Sequence, residues 1–273
     1  MITKRFDNTK KFLFKTIFLN NRLSVYRKYI LSAVDAGYKV CSLKEFWDDR
    51  FSKDKHFVLR HDVDQLLPAT RKMFEVEKKL GVHATYYFRW STIDKKLIKD
   101  MLDAGFEVGL HYETVATYIS EHDIKRKEDL PLKEMQDILK EEIKKFRNEF
   151  SPDMVSCCSH GAQENRDLDV SSNILLEDAD YSEFGIQFEA YDKDMYERCN
   201  IYHIMDCNLR FSFGFAYKAN PIDGIIEDKQ NIIFLSHPIH WKLTFLSWIG
   251  DCIRFVLGKN TYSTEREFRR IAK

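Results

Sequence analysis

Apolar and polar residues alternate along this chain with two periods, and the two take turns. Residues 24–36 (SVYRKYILSAVDA) bring Tyr26, Tyr29, Ile30 and Ala33 onto one helical face, with Ser24 placed as N-cap. Gly37 stops that helix, and residues 38–41 read as a short strand. Ser42 and Glu45 have capping-box spacing and open another short helix. An apolar run from Phe57 then feeds into His61-Asp62-Val63-Asp64. Pro68 suits the first turn of the next helix, where Ala69, Met73, Val76 and Leu80 share a face up to Gly81. Residues 83–89 (HATYYFR) are strand-like. Ser91 with Asp94 starts a helix carrying Ile93, Leu97, Met101 and Ala104, which Gly105 ends. Residues 106–111 are the next strand. After a charged stretch, Pro131 opens a long helix to about residue 150, with Leu132, Met135, Leu139, Ile143 and Phe146 on one face. Residues 154–160, 201–205 and 232–235 read as later strands. Residues 162–200 show no clear period.

Helix, glycine and strand thus recur three times, in AGYKVCS, LGVHATYYF and AGFEVGLH. Alternating helices and apolar strands imply an α/β fold with a parallel sheet and helices outside it. No G-x-G-x-x-G follows a strand and no G-x-x-x-x-G-K-[ST] occurs, which removes the obvious nucleotide-binding readings. A closed or nearly closed barrel is then the natural candidate, with its site at the C-terminal strand ends.

Composition narrows this picture. The 273 residues are 44% apolar and include 21 Phe, 13 Tyr and 4 Trp, enough for a sizeable core. Lys+Arg and Asp+Glu both number 43, so net charge gives no reason to expect nucleic-acid binding. The six cysteines form no regular framework and no C-x-x-C, as expected of reduced thiols in a cytoplasmic protein. Residues 1–22 form a basic lead, in which Lys15 breaks the apolar run and no small-residue cleavage site follows. Residues 23–241 are expected to form the barrel domain, and 242–273 a helix and basic tail. Phe245, Ile249, Cys252, Ile253 and Val256 give that helix a broad apolar face. A cover for the barrel is the favoured reading over membrane-surface association.

The candidate chemistry collects at strand ends. Asp62 and Asp64 point the same way from an extended strand, and paired carboxylates repel unless a metal or shared proton uses them. Arg89, His111, His160 and His237 also end predicted strands, so a parallel sheet brings them to one crevice. One such histidine is commonly structural; three beside a carboxylate pair point to a divalent metal, with Zn²⁺ the best match to Asp and His donors. His61 faces away from Asp62, His203 sits mid-strand, and His240 opens a helix where it either caps or binds.

These residues resemble the NodB-homology polysaccharide deacetylases of carbohydrate esterase family 4. The resemblance covers roughly residues 25–241 and is strongest to a divergent branch with an HDVD opening, associated with surface-polysaccharide biosynthesis. It implies an irregular (β/α) barrel that hydrolyses N-acetyl groups from sugars with a divalent metal. Arg60-His61-Asp62-Val63-Asp64 stands where the family has T-F-D-D, which implies Asp62 as general base and Asp64 as a metal ligand. Residues 84–88 (ATYYF) resemble its A-T-F-F strand. Gly109-Leu110-His111-Tyr112-Glu113 resembles the second motif and makes His111 a ligand. Ser159-His160-Gly161 lies where the third motif belongs. Phe234-Leu235-Ser236-His237 resembles L-x-L-H, whose histidine is the general acid.

The second motif departs from the family, which has a further histidine one helical turn on; Val115 stands there. Catalytic zinc normally keeps three protein ligands, so another group must complete the set. His160 is the first choice, because Gly161 beside it lets the backbone approach closely; Glu113 and then His237 follow. Arg89, Tyr112, Glu113 and Trp241 are expected to line the sugar site. The reading is therefore a metal-dependent hydrolase acting on an N-acetylated sugar or glycan. The alternatives are a sugar-binding pseudoenzyme on the same fold, which Val115 favours, and another metal-dependent hydrolase on a barrel.

Overall fold

The computed structural model describes residues 22–65, 67–206 and 221–241. Its helices and strands follow the alternation of the sequence. Helix α1 (Leu23–Asp35) leads to β1 (Lys39–Cys41), α2 (Leu43–Asp49), β2 (His56–Val63) and α3 (Leu67–Leu80). Next come β3 (Thr85–Phe88), α4 (Lys95–Leu102), β4 (Glu107–Tyr112) and α5 (Thr114–Glu121). The long helix α6 (Leu132–Glu149) precedes β5 (Ser156–Ser159), α7 (Gln163–Asp167) and β6 (Phe188–Glu189). Helix α8 (Lys193–Arg198), β7 (Ile201–Met205), α9 (Pro221–Ile226), β8 (Asn231–Ser236) and α10 (Pro238–Trp241) complete the described chain.

The strands form one parallel sheet in the order β6-β5-β4-β3-β2-β8-β7, with β1 also on β2. Strand β2 is central. One edge pairs with β8 from His56 to His61; the other is shared between β1 (at residues 56–58) and β3 (at residues 60–63). All eight β2 residues are buried.

Side-chain alternation splits β2 between two cores. Phe57, Leu59 and Val63 face the helices and pack with Tyr26, Ile30, Met73 and Phe74. Val58 faces inward and joins Tyr87, Cys158, Phe188 and Ile233. Strands β6 and β8 are far apart in the sheet order yet contribute to this one inner cluster, so the sheet curls around it. Its two outermost strands, β6 and β7, do not pair among the described residues, which makes the barrel open. Helix α2 lies against the N-terminal strand ends. Its Leu43 amide donates to Thr85 Oγ1 (2.7 Å) and its Lys44 amide to Glu107 Oε2 (2.9 Å).

Local rules explain most boundaries. The Ser42–Glu45 capping box forms: Ser42 Oγ accepts from the Glu45 amide and Glu45 Oε2 from the Ser42 amide (2.8 Å). A Cβ at Gly109 would lie 2.7 Å from Tyr87 Cε1 and 2.8 Å from the Ser156 carbonyl oxygen, so β4 needs glycine to approach β5. Other expectations are corrected. Helix α1 starts one residue before Ser24, with Arg22 at the N-cap and no side-chain cap. Helix α4 is capped by Asp94 alone, while Ser91 belongs to a preceding 3-10 turn (Trp90–Thr92). Leu132 is 40% exposed, because α6 turns its first residue to solvent. The N-terminal lead and the apolar helix expected after residue 241 lie outside the described residues. No helix among the described residues is long and apolar enough to cross a membrane.

Candidate metal and hydrolase site

At the C-terminal end of the sheet, β2 delivers Asp62 and Asp64, β4 His111, β5 His160, and β8 His237. Parallel strands with matched registers make these ends neighbours; His111 pairs with Cys158, and Asp62 with Tyr87.

Asp64 is the centre. Its Oδ1 lies 3.5 Å from His111 Nε2 and 3.6 Å from His160 Nε2; its Oδ2 lies 3.8 Å from His237 Nε2. The first two separations are too long for ordinary hydrogen bonds. Asp64 Oδ1 is buried and has no hydrogen-bond partner among the described residues. A tetrahedral zinc site with arms of about 2.1 Å sets its donor atoms about 3.4 Å apart. The separations of Asp64 Oδ1 from His111 and His160 match that spacing, and the three ligand atoms all lie within 4.8 Å of one another. The donor set therefore fits a divalent cation of the zinc type. Burial works against ionisation of Asp64, yet the surrounding His160, His237 and His111 hold its carboxyl far below the usual range.

Each histidine is oriented from behind. His111 Nδ1 faces the Cys158 carbonyl oxygen at 3.0 Å, so this nitrogen keeps its proton. Burial disfavours the His111 imidazolium, but Asp62 and Asp64 outweigh it and raise the pKa, so Nε2 becomes a lone-pair donor once a cation displaces its proton. His160 Nδ1 lies 2.9 Å from Glu113 Oε1, and Arg89 Nη2 donates to the same oxygen at 2.6 Å. Arg89 Nη1 also reaches the Asp64 carbonyl oxygen (3.3 Å). Arg89 and Glu113 thus stand behind the candidate ligands: Arg89 is 1% exposed, and its hydrogen bonds are spent on Glu113 and Asp64 rather than on the open crevice. His237 Nδ1 lies 2.7 Å from Asp206 Oδ1. Burial disfavours the imidazolium of His237, but the Asp206 carboxylate outweighs it and lifts the pKa to about 9.

Asp62 lies deeper, at 2% exposure. Arg60 grips it with Nε–Oδ1 at 3.1 Å and Nη2–Oδ2 at 3.0 Å, and His111 Nε2 is 3.6 Å from Oδ2. Burial pushes its carboxyl up; Arg60 and then His111 pull it down further, so it stays ionised. Arg60 is itself fully buried, with Ala190 carbonyl oxygen, Cys158 Sγ and the Tyr191 ring as its other partners.

Two expected wall residues stand elsewhere. Tyr112 follows His111 on β4 and so faces the opposite way, into the helix-side core at 1% exposure. Trp241 packs among Tyr26, Tyr29 and Phe234 at 2% exposure and donates its indole N–H to Asp206 Oδ2 (2.7 Å). Val115 is buried in the same core, so its position offers nothing to the crevice. Asp206 escaped the sequence reading although it directly follows β7. Its place one residue beyond a strand end, the rule that singled out Asp64 and His160, was the available signal.

No family model and no curated protein sequence matches the chain. Among solved structures, the chain is similar to a family 4 carbohydrate esterase from Streptomyces lividans in complex with acetate. The two are 14% identical over 76% of this chain and 91% of that one, with a TM-score of 0.39. It is also similar to the Xyl-CE4 domain of a multidomain xylanase from the hindgut metagenome of Trinervitermes trinervoides. That match is 10% identical over 80% of this chain and 91% of that one, with a TM-score of 0.37.

Proposed function

We propose that this chain is a divalent-metal-dependent hydrolase that removes an N-acetyl group from a sugar or glycan in polysaccharide or glycoconjugate biosynthesis. One observation carries the hydrolase reading: an unpartnered, buried Asp64 oxygen facing two imidazole Nε2 atoms at metal-site spacing. The sugar class rests on the order of motifs from Arg60 to His237. Asp64, His111 and His160 would hold the metal. When bound, the ion supplies Lewis acidity, polarising an acyl carbonyl and acidifying water.

The chain's own groups divide the proton work. Asp62, kept ionised by Arg60, accepts a proton from the attacking water. His237 faces the same centre as an imidazolium and delivers a proton to the departing amine, which is otherwise a poor leaving group. Asp206 holds the His237 ring so that Nε2 points at Asp64. Glu113, held by Arg89, places its carboxylate 2.9 Å from His160 Nδ1 and so favours a proton on that nitrogen. The pseudoenzyme alternative draws on Val115 alone; His160, at ligand spacing from Asp64, supports the catalytic reading instead.

The test combines elemental analysis with acetate release from N-acetylated oligosaccharides. The expected result is one zinc-type ion per chain and metal-dependent release. In Asp62→Asn, turnover should fall by about 10²–10⁴ with metal retained. A protein that neither binds metal after dialysis against zinc nor releases acetate would sink the reading.

A further inference from the structure

A second set of donors lies on the far side of His237. Asp206 is fully buried, and its Oδ2 is occupied by the His237 amide (2.9 Å) and the Trp241 indole (2.7 Å). These bonds aim Oδ1 at two imidazole nitrogens: His237 Nδ1 at 2.7 Å and His240 Nδ1 at 3.3 Å. The His240 amide donates to the His237 carbonyl oxygen (2.8 Å), a tight turn that brings both rings to one side, with centroids 5.2 Å apart. His240 Nδ1 is buried and makes no hydrogen bond among the described residues. The side chains of His237 and His240 are 16% and 15% exposed, so the group can be reached from solvent.

We propose that Asp206, His237 and His240 form a second, weaker site for a zinc-type divalent cation, and that filling it switches off the proton donor. The donor set, one carboxylate and two imidazoles, repeats that of the first site. The 3.3 Å separation already matches the spacing of about 3.4 Å between donors on tetrahedral zinc. The 2.7 Å separation encloses a proton, which must leave before a cation enters. That competition makes the second site weaker than the first, where no such short contact stands between Asp64 and its histidines.

His237 stands between the two sites: its Nε2 faces Asp64 of the first, and its Nδ1 belongs to the second. With Nδ1 on a cation, His237 can no longer be an imidazolium, and Nε2–H of the neutral ring is a poor acid. The binding claim stands on the geometry; the switching claim rests on the role proposed above for His237.

Equilibrium dialysis against graded free zinc, read by elemental analysis, tests the binding. Wild-type chain should take up one equivalent tightly and a second at higher zinc. His240→Ala should stop at one. His160→Ala should lose the tight equivalent and keep the weak one. His240→Gln, which preserves bulk, stands in should the alanine variant fail to fold. Acetate release by wild type should then fall as the second equivalent fills, while His240→Ala keeps the one-equivalent rate at high zinc. A single equivalent in wild type up to millimolar zinc, or two in both His240 variants, overturns the site. Zinc inhibition undiminished in the His240 variants overturns the switch. Stoichiometry needs no substrate, so a chain without hydrolytic activity would refute the functional reading and still decide the site.

Discussion

Three imidazoles present Nε2 to Asp64 with Nδ1 turned to a group behind: His111 to the Cys158 carbonyl and His237 to Asp206 through hydrogen bonds, and His160 to Glu113 Oε1 at 2.9 Å without a well-formed hydrogen bond. The supports differ, and so do the expected consequences of removing each ring. His160→Ala leaves two donors and should lose stoichiometric metal and activity; full occupancy after dialysis would remove His160 from the ligand set. His237→Ala should keep the tightly held metal and lose turnover by about 10²–10⁴. Asp206 raises the His237 pKa, so it extends the acid form to higher pH. In Asp206→Asn that push is gone, and the alkaline limb of the kcat/KM profile should move to lower pH. An unmoved limb would show that another group sets it. The placement of Asp62, Asp64, His111, His160 and His237 was legible in the sequence, because ending a strand is a local property. What Tyr112 and Trp241 face was not. The first depends on strand parity one residue past His111, and the second on packing against α1, a contact more than two hundred residues away in sequence.

At the scale of elements, β2 and α3 show why a buried strand hides information. His61 points from β2 into the helix-side core, where its Nε2 lies 2.6 Å from Glu77 Oε1 and its Nδ1 2.8 Å from Ser236 Oγ. Tyr26 of α1 donates to Glu77 Oε1, and Tyr86 of β3 to Oε2 (2.6 Å). One carboxylate at 0% exposure thus ties α1, α3, β2 and β3 together, and His61 carries the tie on to β8. Glu77→Ala would leave two phenols and an imidazole without their acceptor. It should destabilise the chain by about 3–5 kcal/mol in denaturant titration, as for other broken buried pairs. A loss below about 1 kcal/mol would mean that the three donors find new partners. The helical period predicted α3, but read it through its apolar residues. Glu77 sits between Met73 and Leu80 on the inward face and looks in sequence like a surface charge. Only partners from distant elements make it a core residue.

Across the whole molecule, the parallel sheet and its outer helices were legible because helix and strand periods alternate cleanly up to α6. The region from 162 to 200 was not, since β6 is two residues long and its helices are short. Short elements held by tertiary contacts leave little periodic trace. The region supplies β6, one of the two outermost strands; the other, β7, lies just beyond it at residues the sequence reads as a strand. Strand β2 has the opposite character. It is buried on both faces and hydrogen-bonded to three strands, so no fluctuation short of global unfolding frees its amides. In native-state hydrogen exchange, the β2 amides should be the slowest in the protein, with β6 and β7 exchanging through cheaper local openings. Asp62 belongs to that last segment to open, and Asp64 follows one residue after it. The carboxylates therefore inherit the lifetime of the fold itself, and on heating the tightly held metal should be lost only at global melting, even where the Asp206 support beyond β7 opens earlier.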